Sequence, residues 1–126
     1  MLIGAHVLLY SEDPEADRGF FRDVLGFPFV DVGHGWLIFK LPPGEAAFHP
    51  TDGEQRDQLH GGRHLLGAVL YFMCEDLKAQ MAQLEAKRVQ FTKPEEAAWG
   101  IKTTIKLPGG GEIGLYQPKH ATAFDL

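Results

Sequence analysis

One cysteine, Cys74, in a chain of 126 residues excludes an internal disulfide framework and points to a reducing, cytoplasmic setting. Long apolar runs are missing too. The opening stretch "MLIGAHVLLYSED" has no basic leader and reaches acid at Glu12, so neither a secretory signal nor a membrane span is expected from it. A basic excess is likewise absent: 12 Lys and Arg stand against 17 Asp and Glu, a net charge of −5. Nucleic acid is therefore not an expected partner, because phosphate contacts need clustered positive charge. The acid excess lies in residues 1–63, with five basic against ten acidic side chains, while residues 64–126 balance at seven each. Low-complexity tracts are also absent, which argues against disorder.

What the chain has is an apolar share of 44%, enough for the core of one domain of this length. It also contains itself twice. "GAHVLLYSED" at 4–13 aligns without a gap on "GAVLYFMCED" at 67–76, and "KLPPGEAAFHP" at 40–50 answers the longer "KLPGGGEIGLYQP" at 106–118. The duplication sets module 1 at about 3–50, a polar linker at about 51–65, module 2 at about 66–118 and a tail at 119–126, all within a single domain.

Each half reads strand, helix, then three strands. "HVLLY" is an apolar strand, and the following helix opens with Asp13 as N-cap and Pro14 at its first position. Ala16, Phe20, Phe21, Val24 and Leu25 recur on one helical face, and Gly26 is placed to end it. "FPFVDV", "GWLIFKL" and "EAAFHP" are the remaining strands of the first half, separated by His34-Gly35 and Pro42-Pro43-Gly44 turns. In the second half a helix runs from about Asp76 to Lys87 with Leu77, Met81 and Leu84 inward, followed by strands "RVQFT", "IKTTIKL" and "EIGLYQP". His60 and His64 are four apart, but Gly61 and Gly62 between them favour a loop over a helical ligand pair. Cys74 ends an apolar strand with no histidine beside it in sequence and reads as packing. No helix follows Gly109–Gly111, so that run reads as a tight turn, not a phosphate cradle.

The tandem βαβββ order, the "HVLLY" first strand, the "DPEA" helix start and the "PGGGEIGLYQP" last strand together resemble the vicinal oxygen chelate superfamily, which includes glyoxalases, bleomycin resistance proteins and extradiol dioxygenases. The resemblance covers Gly4 to Pro118. It implies an α+β fold of two tandem βαβββ modules curling around a central cavity, and a homodimer. It also implies a divalent ion held by ligands on the first and last strand of each module. Carried over residue by residue, those positions are His6, Ala46, Val69 and Gly114, of which only His6 has a donor atom. One imidazole holds a divalent ion too weakly to compete with water. No metal is therefore expected at the standard positions. A relocated set of His6, Glu112 and His49, binding iron, manganese, nickel or zinc, is the alternative.

Strand alternation places His6, Leu8 and Tyr10, then Val69, Tyr71 and Met73, then Glu112 and Tyr116 on the cavity side, with Trp36 and Trp99 at the rim or sealing the sheet ends. Val7, Leu9, Leu70, Phe72, Ile113 and Leu115 would pack under the helices. Such a lining suits a small, partly aromatic molecule oriented by one or two hydrogen bonds. The expected function is binding of such a molecule without a metal cofactor; the alternative is a metal-dependent lyase or extradiol-type dioxygenase in which His6 and Glu112 are the candidate catalytic groups.

Overall fold

The computed structural model describes residues 1, 4–50, 59–64 and 67–126, with the backbone alone at 59, 60, 63 and 64. Most of the expected linker, and the side chains of His60 and His64, therefore lie outside the described residues.

Local chemistry sets both helices. In α1 (Pro14–Gly19) the Asp13 carboxylate accepts from the Ala16 N–H, and Pro14 costs nothing at a position whose N–H has no helical partner. The helix continues as a π-helical turn (Phe20–Val24), closed by Leu25 N–H to Phe20 O at 3.0 Å, and Gly26 ends it with φ of 71°. In α2 (Leu77–Glu85) Asp76 caps Ala79, and the Leu77 N–H donates to Oδ-type oxygen Oε1 of Gln117 at 2.9 Å. Leu77 and Leu84 face inward and are buried.

The strands in chain order are β1 (Phe29–Asp31), β2 (Leu37–Phe39), β3 (Leu59–His60), β4 (Arg63–His64), β5 (Tyr71–Met73), β6 (Glu95–Ala97), β7 (Gly100–Lys106) and β8 (Glu112–Pro118). β1 and β2 form an antiparallel hairpin, as do β3 and β4, whose Gly61-Gly62 turn takes the positive φ that a two-residue hairpin requires. The main sheet has the order β5-β8-β7-β6; β5 runs parallel to β8 and the other pairs are antiparallel. This is the strand-helix-three-strand module expected of the second half.

One face of that sheet carries Ile105, Ile113 and Leu115, which are buried with Phe21, Leu77, Leu84, Val89 and Leu107. Both helices contribute to this single core. Phe72 joins the two repeats, its ring lying 6.0 Å from Phe21 and 5.1 Å from Phe27. Polar bonds reinforce the junction: Glu12 N–H donates to Gly109 O at 3.2 Å, Gly109 N–H to Asp17 Oδ1 at 2.7 Å, and Lys87 Nζ to Val24 O at 2.9 Å. The glycine run is the tight turn expected, closed by Leu107 N–H to Gly111 O, with Gly110 at φ of 91°.

Two expectations are corrected. Residues 4–10 and 45–50 form no strand, and Val7 and Leu9 are exposed instead of lying under a helix. The helical face that they were to meet is occupied by the second module's sheet. "RVQFT" supplies only a bridge, Phe91 to Ile105; Arg88 at φ of 64° and Pro94 bracket it, and pairing resumes at β6 on the charged segment Glu95–Ala97. A two-residue hairpin stands within the stretch read as linker.

The Gly109 turn gives a direct test of the junction. A Cβ there would overlap Ser11 Oγ and Asp17 Oδ2 and stand 2.8 Å from Asp17 Cγ. Gly109→Ala should destabilise by about 1–3 kcal/mol, the cost of displacing a carboxylate from a buried N–H. Urea unfolding measures it, and an unchanged midpoint would mean that α1 is not docked on the turn.

Candidate functional site

The face of the main sheet opposite the core is open, and β8 builds most of it. Alternation puts Glu112, Gly114 and Tyr116 on this side, opposite Lys106, Thr104 and Lys102 of β7, while Tyr71 and Met73 of β5 lie beside Gly114 and Tyr116. Three aromatic rings converge there. Tyr71 and Tyr116 are 5.4 Å apart at 84°, Trp99 and Tyr116 are 5.3 Å apart at 76°, and Tyr71 and Trp99 are 6.2 Å apart at 74°. These near-perpendicular planes make a corner, the edge-to-face arrangement that ring quadrupoles favour. Tyr116 is its floor at 8% exposure, and Tyr71 and Trp99 are its walls at 36% and 39%.

The corner is held from three sides. Lys119 N–H donates to Trp99 O at 2.9 Å, fixing the turn that carries the indole. Lys102 Nζ lies 5.9 Å from the Trp99 ring centroid, at the outer limit of a cation–π contact. His120 Nδ1 lies 2.8 Å from Ala121 O and its Nε2 lies 3.1 Å from the Tyr116 hydroxyl. Because the carbonyl can only accept, this pattern places the imidazole proton on Nδ1 and makes the Tyr116 hydroxyl the donor to Nε2. Burial first, then the Glu45 carboxylate and Tyr71, push the Tyr116 phenol above its ordinary value. Glu45 is itself engaged, accepting from Ala123 N–H at 2.8 Å. Burial, followed by the Asp76 carboxylate, raises the Cys74 thiol, and the thiol faces Tyr116 O at 3.6 Å; both features oppose a nucleophilic role.

Of the residues expected to line a site, the fold brings Tyr71, Tyr116 and Trp99 into contact and sets Met73 and Glu112 on the same face. Val69 is exposed just ahead of β5. His6, Leu8 and Tyr10 lie on the exposed stretch 4–10, which forms no strand. Trp36 stands elsewhere, with the Arg18 guanidinium 4.8 Å over its ring. His49 is turned to Pro50 O at 2.8 Å. The residues missed from sequence are Gly114 as a contact surface and His120 as a hydrogen-bond partner. A glycine inside a strand is a recognised sign of close approach, and could have revealed the first. A separate polar groove of about 800 Å³ lies between α1 and the β1–β2 hairpin, lined by residues such as Asp13, Arg18, Arg22 and His34. It contains none of the expected lining residues.

At the positions that the superfamily resemblance assigns to ligands, the described residues do not fit a divalent ion. Ala46, Val69 and Gly114 offer no donor, and the space above Gly114 is filled by the Tyr71 ring. Among the described residues no three His, Cys, Asp or Glu side chains cluster as a metal group.

Solved structures share this architecture. A lactoylglutathione lyase from Agrobacterium tumefaciens matches with a TM-score of 0.61 at 18% identity, over 91% of this chain and 92% of that one. TnmS3, an antibiotic binding protein from Streptomyces sp. CB03234, matches with 0.58 at 25% identity, over 94% and 100%. A glyoxalase/bleomycin resistance protein from the same Streptomyces matches with 0.52 at 24% identity, over 85% and 93%. No curated protein sequence matches the chain. The family model of the glyoxalase/bleomycin resistance protein/dioxygenase superfamily matches residues 4–113, and the chain belongs to that superfamily. No helix among the described residues is long and apolar enough to cross a membrane.

The Tyr116 phenol supplies a pH test. Its raised value means that the neutral form is favoured in the folded state, so its contribution to stability is complete below the ordinary phenol range and is lost as pH rises through the folded value. Ultraviolet titration should show a tyrosine ionising above the usual range that disappears in Tyr116→Phe. A titration unchanged by that substitution would contradict the buried floor.

Proposed function

We propose that this chain binds a small, partly aromatic organic molecule on the open face of its main sheet, without the metal site usual in its superfamily. The observation that carries this reading is the Tyr71–Trp99–Tyr116 corner, standing where strand positions that would carry metal ligands hold Val69 and Gly114. Stacking faces and edges bind flat rings through dispersion and desolvation, and need no ion. The 25% identity to an antibiotic binding protein is in keeping with this reading.

The binding unit in this proposal is a homodimer of single-domain chains, with modules at about 3–50 and 66–118. Its support is internal to the repeat. The second module pairs its first and last strands, whereas the equivalent stretches 4–10 and 45–50 form no strand, and they expose Val7, Leu8, Leu9 and Phe48. A second copy would cover them and bring His6, Leu8 and Tyr10 to a shared cavity, with Trp36 at its rim. The single half-buried cysteine suits a cytoplasmic location.

The second reading is a metal-dependent lyase or extradiol-type dioxygenase built on His6 and Glu112. It is favoured by the retention of His6 and by the exposure of both side chains.

The two readings separate in one pair of titrations. Protein purified without chelators should contain no stoichiometric iron, manganese, nickel or zinc, and should take up none on titration. The flat probe 9-aminoacridine, followed by its own fluorescence, should bind the protein, with affinity reduced roughly tenfold in Trp99→Ala, the effect of losing about 1–1.5 kcal/mol of ring contact. One ion bound per chain and lost in His6→Ala would sink the metal-free reading in favour of the enzyme.

A further inference from the structure

Gly114 is the register partner of Tyr71 in the parallel β5–β8 pair, and its N–H donates to Leu70 O at 2.9 Å. The Tyr71 ring lies directly against this residue. A Cβ at 114 would overlap Cδ1 and Cε1 of the ring and stand 3.0 Å from its Cγ, so no side chain larger than hydrogen fits while the ring stays in place. The position is buried although glycine has nothing of its own to bury. Glycine inside a strand exposes backbone and lacks a packing partner, a weakness that an aromatic neighbour laid across it repairs.

The ring is not free to choose another seat without cost. Its edges and faces are set against Tyr116 at 84° and Trp99 at 74°, so displacing Tyr71 disturbs two ring contacts at once. The other glycine at this site acts differently. Gly100 closes against Gln117 O, 2.6 Å from where its Cβ would stand, which fixes the backbone of the turn carrying Trp99.

We propose that Gly114 is a positioning residue: its missing side chain seats the Tyr71 ring and so sets one wall of the aromatic corner. The exchange is reciprocal. A carboxylate at 114 and the Tyr71 ring compete for one volume, so the chain presents either an ion ligand or an aromatic wall at this place, and its sequence holds the wall. The consequence for binding, selection of flat ring systems by the orientation of Tyr71, rests on the reading given under "Proposed function"; the seating does not.

Four variants test it: Gly114→Ala, Tyr71→Ala, the double variant, and Tyr71→Phe. The readouts are Tm, near-ultraviolet circular dichroism of the ring cluster, and quenching by 9-aminoacridine. Gly114→Ala should lower Tm by roughly 5 °C or more, as an overpacked site does, and alter the aromatic dichroism. In the Tyr71→Ala background the same substitution should cost no Tm, because the ring it collides with is gone. Tyr71→Phe should keep the Tm and the dichroic pattern that the ring's position sets. An equal loss from Gly114→Ala with and without the ring, or dichroism unmoved by it, overturns the proposal. If the coupling holds while the wild type ignores the probe, the seating stands and the proposed function fails.

Discussion

The two faces of β8 are the constraint on which the rest depends. Ile113 and Leu115 are buried on one side, and because side chains alternate strictly along a strand, their burial forces Gly114 and Tyr116 to the other. A slip of one residue would send the glycine into the core and two large apolar groups into solvent. The seven paired residues of β7 and β8 hold that register, and the parallel pairing of β5 then brings Tyr71 beside Gly114. The geometry of the open face thus follows from apolar burial on the hidden one.

The junction between the repeats leaves that face available. Phe21 and Phe27 meet Phe72 on the helical side, and Asp17 receives the Gly109 N–H at the sheet's end. The first module therefore attaches to the second chiefly through the covered face and the turn, and reaches the ring side through Glu45, whose carboxylate accepts from Ala123 N–H. The first module's outer segments, 4–10 and 45–50, form no strand in that arrangement. Among the described residues, the pairing of a module's first strand with its last is made in the second copy alone.

Both helices and much of the second module were legible because their signals are local. Asp76 and Asp13 cap helices through contacts three residues away, Gly26 and Gly110 take backbone angles that favour glycine, and the alternation of "EIGLYQP" separates its two faces. The strands of 4–10 and 45–50 were legible as pattern but not as pairing, since strands form only against a partner and the sequence does not say where that partner is. β6 was missed because Glu95 and Glu96 resemble a solvated loop; one hydrogen-bonded neighbour is enough to extend such an edge. Tyr71, Trp99 and Tyr116 were each expected at the site, yet their angles arise from packing between distant segments. The missing donor at Gly114 is written in the sequence, whereas the ring that fills its place comes from a distant strand.

The wide turn at Phe20–Val24 carries a different kind of information. A helix that closes Leu25 N–H onto Phe20 O contains one residue more than a regular α-helix would need over the same rise. Removing a residue there would restore ordinary i to i−4 bonding and improve the helix as a helix. It would also rotate everything downstream by about 100° about the axis, since each residue of an α-helix turns the chain by that amount. Phe27, whose ring now meets both Phe21 and Phe72, would leave the cluster. The irregular turn is therefore a phase adjuster: a less regular backbone keeps two rings, six positions apart, aimed at a single target.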